Sequence, residues 1–360
     1  MSQTVVCKQA TPRWGGCAAT NAARDSATAL KPSSHLSSRW PAPPAIAPLP
    51  SRSAAMLDYT KFQDVFPADL QIPYDRKLQH EIDDHRKSLD GTLFIDRVMK
   101  ALGIAKSKIY PPKSDSALRQ LHQQICDAGM SMHHKQSLLY YILLDFDVAT
   151  SRDSISEAFA MDTGMPSTYQ VFMKGLWYMD RQDHEHALEY VAHPSLTPDF
   201  ADDIVVALVR HAEGNDYSLA LSYYYTVQPI LKTSLALELL FDAMVRTNTT
   251  EALLFSRTHP EHTREQLFRR WIGGVLDGGK GDKSGQVSQL AFMPFDAIEE
   301  AWFEEYLTKG EGRSLRRTKD TLLVRMIACD RFADVSRVKG AGQWSGVIDG
   351  IRKGIEGLSE

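Results

Sequence analysis

Three Ala-Leu pairs, Ala187-Leu188, Ala220-Leu221 and Ala252-Leu253, recur at intervals of 33 and 32 residues. A polar turn precedes each: Arg181-Gln182-Asp183, Gly214-Asn215-Asp216 and Thr247-Asn248-Thr249. Prolines follow in rough register, at His193-Pro194, Gln228-Pro229 and His259-Pro260. A period near 33 is the length of one helical hairpin, two short helices and their turns. The small Ala lets neighbouring helices approach and the Leu fills the seam. Such a hairpin can bury its apolar face only against the next one, so the repeat predicts an α-solenoid-like stack.

The flanking sequence carries the same period. Leu78, Ile82, Leu89, Leu93 and Val98 predict helix over Asp75–Ala101, broken near Asp90-Gly91. Leu118, Leu121 and Ile125 place one apolar face on Ser114–Ala128, and helices follow over Lys135–Phe146, Ser151–Met161 and Thr168–Asp180. Thr197-Pro198-Asp199, Thr263 with Gln266, and Asp296 with Glu299 read as helix starts. Alternating β-branched runs are scarce, which makes the chain all-α. A C-terminal helical pair is expected at Asp296–Thr308 and Ser314–Asp330, within 291–335, and a weakly ordered tail over 336–360. The expected helical domain covers 56–276, and the Gly-rich stretch 277–290 reads as a linker or loop.

Residues 1–55 hold seven of the 17 prolines and no sustained apolar period, so they are expected to form a disordered tail. Their acid-poor composition also has the look of an organellar transit peptide, but Pro41, Pro43, Pro44, Pro48 and Pro50 spoil an amphipathic helix there. Patterned sequence opens at Met56, and a further expectation is that translation starts at that residue. A peptide map of the native protein containing fragments of 1–55 would remove that expectation. Beyond residue 55 the chain carries 35 basic and 44 acidic residues, a net of −9. An acidic body is repelled by phosphate backbones unless it gathers its cations, so nucleic acid is not the expected partner. The longest apolar run, Ser137–Asp145, is about half a membrane span and reads as a buried helix.

Chemistry-bearing motifs are sparse. Cys7, Cys17, Cys126 and Cys329 form no C-x-x-C pair, which argues against a disulfide framework or a cysteine zinc site. Gly274-x-x-x-x-Gly279-Lys280 lacks the Ser or Thr of a phosphate loop, with Gly281 in its place. His184 and His186 stand about 200° apart on a helix and cannot share one metal, while His133 and His134 are expected in a loop. No G-x-S-x-G or dinucleotide fingerprint occurs. We therefore expect no enzyme, no cofactor and no small-molecule substrate, and no catalytic, cofactor-binding or metal residues are assigned. Arg264/Arg269/Arg270 and Arg313/Arg316/Arg317/Lys319 are basic groups that could touch nucleic acid or an acidic partner. Tyr223, Tyr224 and Tyr225 cannot all point inward, because successive helical residues turn by about 100°. One of them is expected to be an exposed interface anchor.

Trp177-Tyr178-Met179-Asp180, then Ala187-Leu188, then His193-Pro194-Ser195-Leu196, in that order, resembles the ELYS-like nuclear pore assembly family. Ala220-Leu221 with Gln228-Pro229, and Glu251-Ala252 through Phe255 to Arg257, continue the likeness. Trp302, Glu305-Tyr306-Leu307, Asp320, Val324-Arg325 and Arg331 look like the family's closing helices, so the resemblance covers roughly 75–335. Met179 stands where the family usually has Leu, a volume-conserving change. Larger members add an N-terminal β-propeller and a C-terminal AT-hook. This sequence shows neither a strand-rich start nor Arg-Gly-Arg-Pro and looks like the short fungal form. The resemblance implies a nucleoporin adaptor, without membrane insertion, at the nuclear pore complex of the nuclear envelope. There it would bind other nucleoporins of the outer-ring Y-shaped complex through a partner surface not yet known. The alternative is a chromatin or nucleic-acid module using the C-terminal Arg and Lys groups.

Overall fold

The computed structural model describes residues 57–66, 71–104, 109–150, 154–276, 289–315, 317–338 and 344–357. The expected tail 1–55, and residues 277–288 of the expected linker, lie outside them. The described residues contain helices and turns and no strand, so the fold is all-α. They divide into two compact units, with the boundary at residues 192–197, inside the span read from sequence as one domain.

The first unit contains α1 (Phe62–Val65), α2 (Arg76–Ser88), α3 (Phe94–Ala101), α4 (Asp115–Asp127), α5 (Met132–Thr150), α6 (Ile155–Asp162), α7 (Ser167–Asp180) and α8 (His184–Val191). The break near Asp90-Gly91 is real, since both residues have positive φ, 58° and 79°, and the glycine carries that turn at least cost. Asp75 and Ser114 cap α2 and α4 through their side chains, satisfying amide donors that open each helix. Leu138 to Phe146 are buried all round α5, which makes this helix the axis of the unit, packed by α4, α6 and α7. His133 and His134 lie in its first turn rather than in a loop, the helix having begun at Met132.

Helices α7 and α8 form the first hairpin of the repeat. Gly175 makes their contact possible: a Cβ there would stand 2.7 Å from Val191 Cγ1 and 3.2 Å from the Val191 backbone nitrogen. Gly175→Ala gains helix propensity of about 1 kcal/mol. Overpacking against an adjacent backbone costs about 1–3 kcal/mol. The expected result is a net loss of about 1 kcal/mol, read as a lower midpoint in urea unfolding with an unchanged slope.

The second unit contains α9 (Ala201–Arg210), α10 (Ser218–Val227), α11 (Ser234–Thr247), α12 (Thr249–Ser256), α13 (Glu261–Leu276), α14 (Ala297–Thr308), α15 (Thr318–Ala328), α16 (Phe332–Arg337) and α17 (Ser345–Gly357). Here α9/α10 and α11/α12 are successive hairpins. Helix α11 packs on α9, α13 packs on α11 and α12, and α14 packs on α13, which is solenoid-like stacking. Ala220 and Ala252, like Ala187 in the first unit, are fully buried on the second helix of their hairpins. Two starts differ from the sequence reading. Helix α9 begins after Phe200, whose left-handed φ of 57° turns the chain, not at Thr197-Pro198. Helix α13 begins at Glu261 directly after Pro260, so Thr263 lies inside it. The Asp296–Glu299 capping box forms as expected. Within the expected tail 336–360, whose residues 339–343 and 358–360 lie outside the described ones, α17 packs on α16 and buries Ile348 against Leu323 and Val335, with Trp344 and Ile351 along the edge.

Candidate functional site

The Trp177-Tyr178-Met179-Asp180 box ends α7, and each of its side chains has an inward task. Asp180 is 4% exposed; it accepts from the Phe94 and Ile95 backbone N–H groups at 2.6 and 2.9 Å and from the Tyr141 hydroxyl at 2.8 Å. It therefore ties the start of α3 and the middle of α5 to the end of α7. Burial pushes its carboxyl up to about 7, against the lowering effect of those donors, and nearby Asp96 adds to the rise. Trp177 Nε1 donates to Asp145 at 2.8 Å, and Arg181 lies over the Trp177 ring at 4.7 Å. Asp145 also accepts from the Tyr74 and Tyr110 hydroxyls at 2.8 and 2.7 Å, and burial likewise raises its pKa. Met179 is fully buried, and Tyr178 stacks on His186 and Tyr190 to clamp α8.

The second unit has a counterpart. Glu299 on α14 is fully buried and accepts from Arg257 Nε at 2.8 Å and from Arg264 Nη2 at 2.5 Å. Burial alone would raise its pKa, but the two guanidiniums and the Asp296 N–H hold it below the usual carboxylate range. Arg325, 5% exposed, donates to the Ala291 and Met293 carbonyls, pairs with Glu300 and covers the Phe295 ring at 4.0 Å. Arg331 pairs with Glu304 and Asp334. Thus Arg257, Trp302, Arg325 and Arg331, singled out in the sequence as family positions, lie in packing and ion-pair networks. His193-Pro194-Ser195-Leu196 forms the turn at the unit boundary.

The basic group Arg264/Arg269/Arg270 is neutralised. Arg264 pairs with Asp296 and Glu299, Arg269 with Glu265 and Glu305, and Arg270 with Glu238 and Asp242. Arg313, Arg317 and Lys319 have no such partners among the described residues; Arg316 lies outside them. No group of His, Cys, Asp and Glu suited to a metal occurs among the described residues, and no described helix is long and apolar enough to cross a membrane.

What the molecule offers outward is a side-chain surface. Tyr223 is buried, Tyr224 half-buried and Tyr225 42% exposed, so the tyrosine run splits as helical geometry requires. From Tyr217 to Leu231 the sequence carries no charge. Tyr224 meets Phe255 of α12 edge-on at 5.7 Å, and the Tyr225 hydroxyl lies against Glu251. Leu254, one turn on from Glu251, is 56% exposed. Together Tyr224, Tyr225, Leu254 and Phe255 form an aromatic-aliphatic strip on the second helices of two successive hairpins, with Glu251 set against the Tyr225 hydroxyl.

The sequence model of the ELYS family, described as nuclear pore complex assembly, matches residues 92–310. A Schizosaccharomyces pombe protein described as uncharacterized protein ely5 is 30% identical over 168 residues, 46% of this chain. The match covers 53% of that relative, about half its length. The matched span takes in the Asp180 network, all three Ala-Leu hairpins and the Glu299 network, and on that ground the chain belongs to the ELYS nuclear pore complex assembly family.

Proposed function

We propose that this chain is a non-catalytic scaffold of the nuclear pore that docks on the outer-ring Y-shaped complex and supports pore assembly. The observation that carries the reading is the family match over 92–310, which spans both helical units. Its place of action is then the nuclear envelope, its partners are other nucleoporins, and it uses no cofactor. The α10–α12 strip is the surface best suited to the contact, because it exposes Tyr225 and Leu254 side by side with the Glu251 carboxylate already engaged by the Tyr225 hydroxyl.

The test is affinity capture of the tagged full chain from nuclear extract at near-physiological salt, read by mass spectrometry. Outer-ring nucleoporins in stoichiometric amounts are expected. Tyr225→Ala combined with Leu254→Ser should reduce their recovery about tenfold or more, since central aromatic anchors each contribute about 1–2 kcal/mol. Recovery of histones and DNA alone, lost on raising salt, would replace this reading with the nucleic-acid one.

A further inference from the structure

Helix α17 carries four glycines in 13 residues, Gly346, Gly350, Gly354 and Gly357. Packing and backbone geometry require none of them. All four lack a left-handed φ, and a Cβ on any of them would find no heavy atom within 4 Å. Gly175 and Gly312 are the contrast, since a Cβ there would overlap a neighbour. Gly350 and Gly354 lie inside the helix. At such positions glycine lowers the helix-forming equilibrium about fivefold relative to alanine, through its backbone entropy.

Little packing offsets that weakness. Among the described side chains of α17 only Ile348 is buried, against Leu323 of α15 and Val335 of α16, with Trp344 and Ile351 partly buried beside it. Trp344 Nε1 donates to Asp320 at 3.0 Å and Arg352 Nη2 to the Ser336 carbonyl at 3.0 Å, both in contact with water. Helix α13, by comparison, buries Leu267, Phe268, Trp271, Ile272, Val275 and Leu276. The family match also stops at residue 310, ahead of α15. Elements with few buried apolar contacts and exposed hydrogen bonds occupy the low end of local stability.

We propose that α17 is a releasable latch, which leaves α15 and α16 and returns while the rest of the second unit stays folded. The glycines favour the open state and Ile348 the closed one, so single substitutions can tip the balance. Opening uncovers Leu323 and Val335, an apolar seat that α17 otherwise fills. The inference goes beyond the pore reading and holds whichever assembly the chain joins.

The test is amide hydrogen exchange of the full chain at neutral pH, read by mass spectrometry on peptides from α17 and α13. Helix α17 is expected to be protected, yet to exchange faster than α13 and with little response to low urea, because its opening exposes little surface. Gly350→Ala with Gly354→Ala should slow exchange of α17 about twentyfold, two fivefold steps, and leave α13 unchanged. Ile348→Ala should bring α17 close to its unprotected rate, again without effect on α13. Equal protection of the two helices in the unsubstituted chain would mean that they open only together, and would overturn the proposal. An α17 without protection would overturn it too, since no closed state would then exist. So would a double-alanine variant that leaves α17 as it was or slows both helices alike, and so would loss of α13 protection in Ile348→Ala.

Discussion

Asp180→Ala is expected to unfold the first unit or bring it close to unfolding. The substitution strands the Phe94 and Ile95 N–H groups and the Tyr141 hydroxyl, three donors that the carboxylate satisfies inside the core. Each buried donor left without an acceptor costs about 1–3 kcal/mol, so a loss of about 3 kcal/mol or more is expected. Domain stabilities run at about 5–15 kcal/mol. Asp180→Asn keeps an acceptor oxygen and should cost far less. It also isolates a pH effect whose sign is fixed by the raised pKa. A carboxyl at about 7 when folded and near its ordinary value when unfolded binds more protons in the native state between those limits. Its contribution is fully present below pH 4 and is lost as pH rises through 7. The first unit should therefore gain stability on acidification from pH 7 toward 4, by up to about 1.4 kcal/mol per pH unit, and Asp180→Asn should flatten that slope. Hydrogen exchange followed on α3 reads it directly. A slope unchanged in Asp180→Asn would assign the effect to another group.

Glu299→Ala is expected to damage the second unit to a similar degree for the opposite electrostatic reason. Glu299 stays ionised between Arg257 and Arg264, and its removal leaves two partly buried guanidiniums sharing Asp296 and a carbonyl. Breaking a buried pair from one side costs about 3–5 kcal/mol. Its depressed pKa gives stability that is present above the ordinary carboxylate pKa and lost as pH falls through the folded value. Exchange on α14 should thus accelerate as pH falls below the ordinary carboxylate range, where the gain in protection of α3 has already levelled off. Glu299→Gln, which keeps the shape without the charge, should recover part of the loss and abolish the acid sensitivity. Wild-type-like melting of Glu299→Ala would refute the keystone role.

The helices and the hairpin register were legible in the sequence because their signals are local. Apolar spacing, the Asp296–Glu299 box and the Ala-Leu period depend on residues three, four or about 33 positions apart. All three repeat alanines are buried, as the seam requires. The starts of α9 and α13 were misread because Thr-Pro-Asp and Thr-x-x-Gln are capping patterns that a nearby turn can pre-empt, at Phe200 and at Pro260. The partners of Asp145 were not legible at all. Tyr74 lies 71 residues before it, Tyr110 lies 35 before it and Trp177 follows 32 later, and no period links them. One trace was available: Asp145 closes an apolar run whose every other member is buried, a place where an acid must find donors. The division into two units left no mark in composition, since helix follows helix across it. The exposure of Tyr225 followed from helical geometry alone, whereas the neutralisation of Arg264, Arg269 and Arg270 depends on acids up to 36 residues away.

The bonds from Asp180 to Phe94 and Ile95 span 86 and 85 residues, which bears on the order of events during synthesis. Closing a loop of that length must precede the reward for closing it, and non-local contacts slow folding. The α9/α10 and α11/α12 hairpins close over a few residues and can form as soon as they leave the ribosome. The first unit, although translated earlier, cannot complete its core until Asp180 has emerged, and α3 and α5 wait until then with apolar faces uncovered. Nascent chains truncated just before Trp177 should therefore engage chaperones strongly, and chains extended past Val191 should release them.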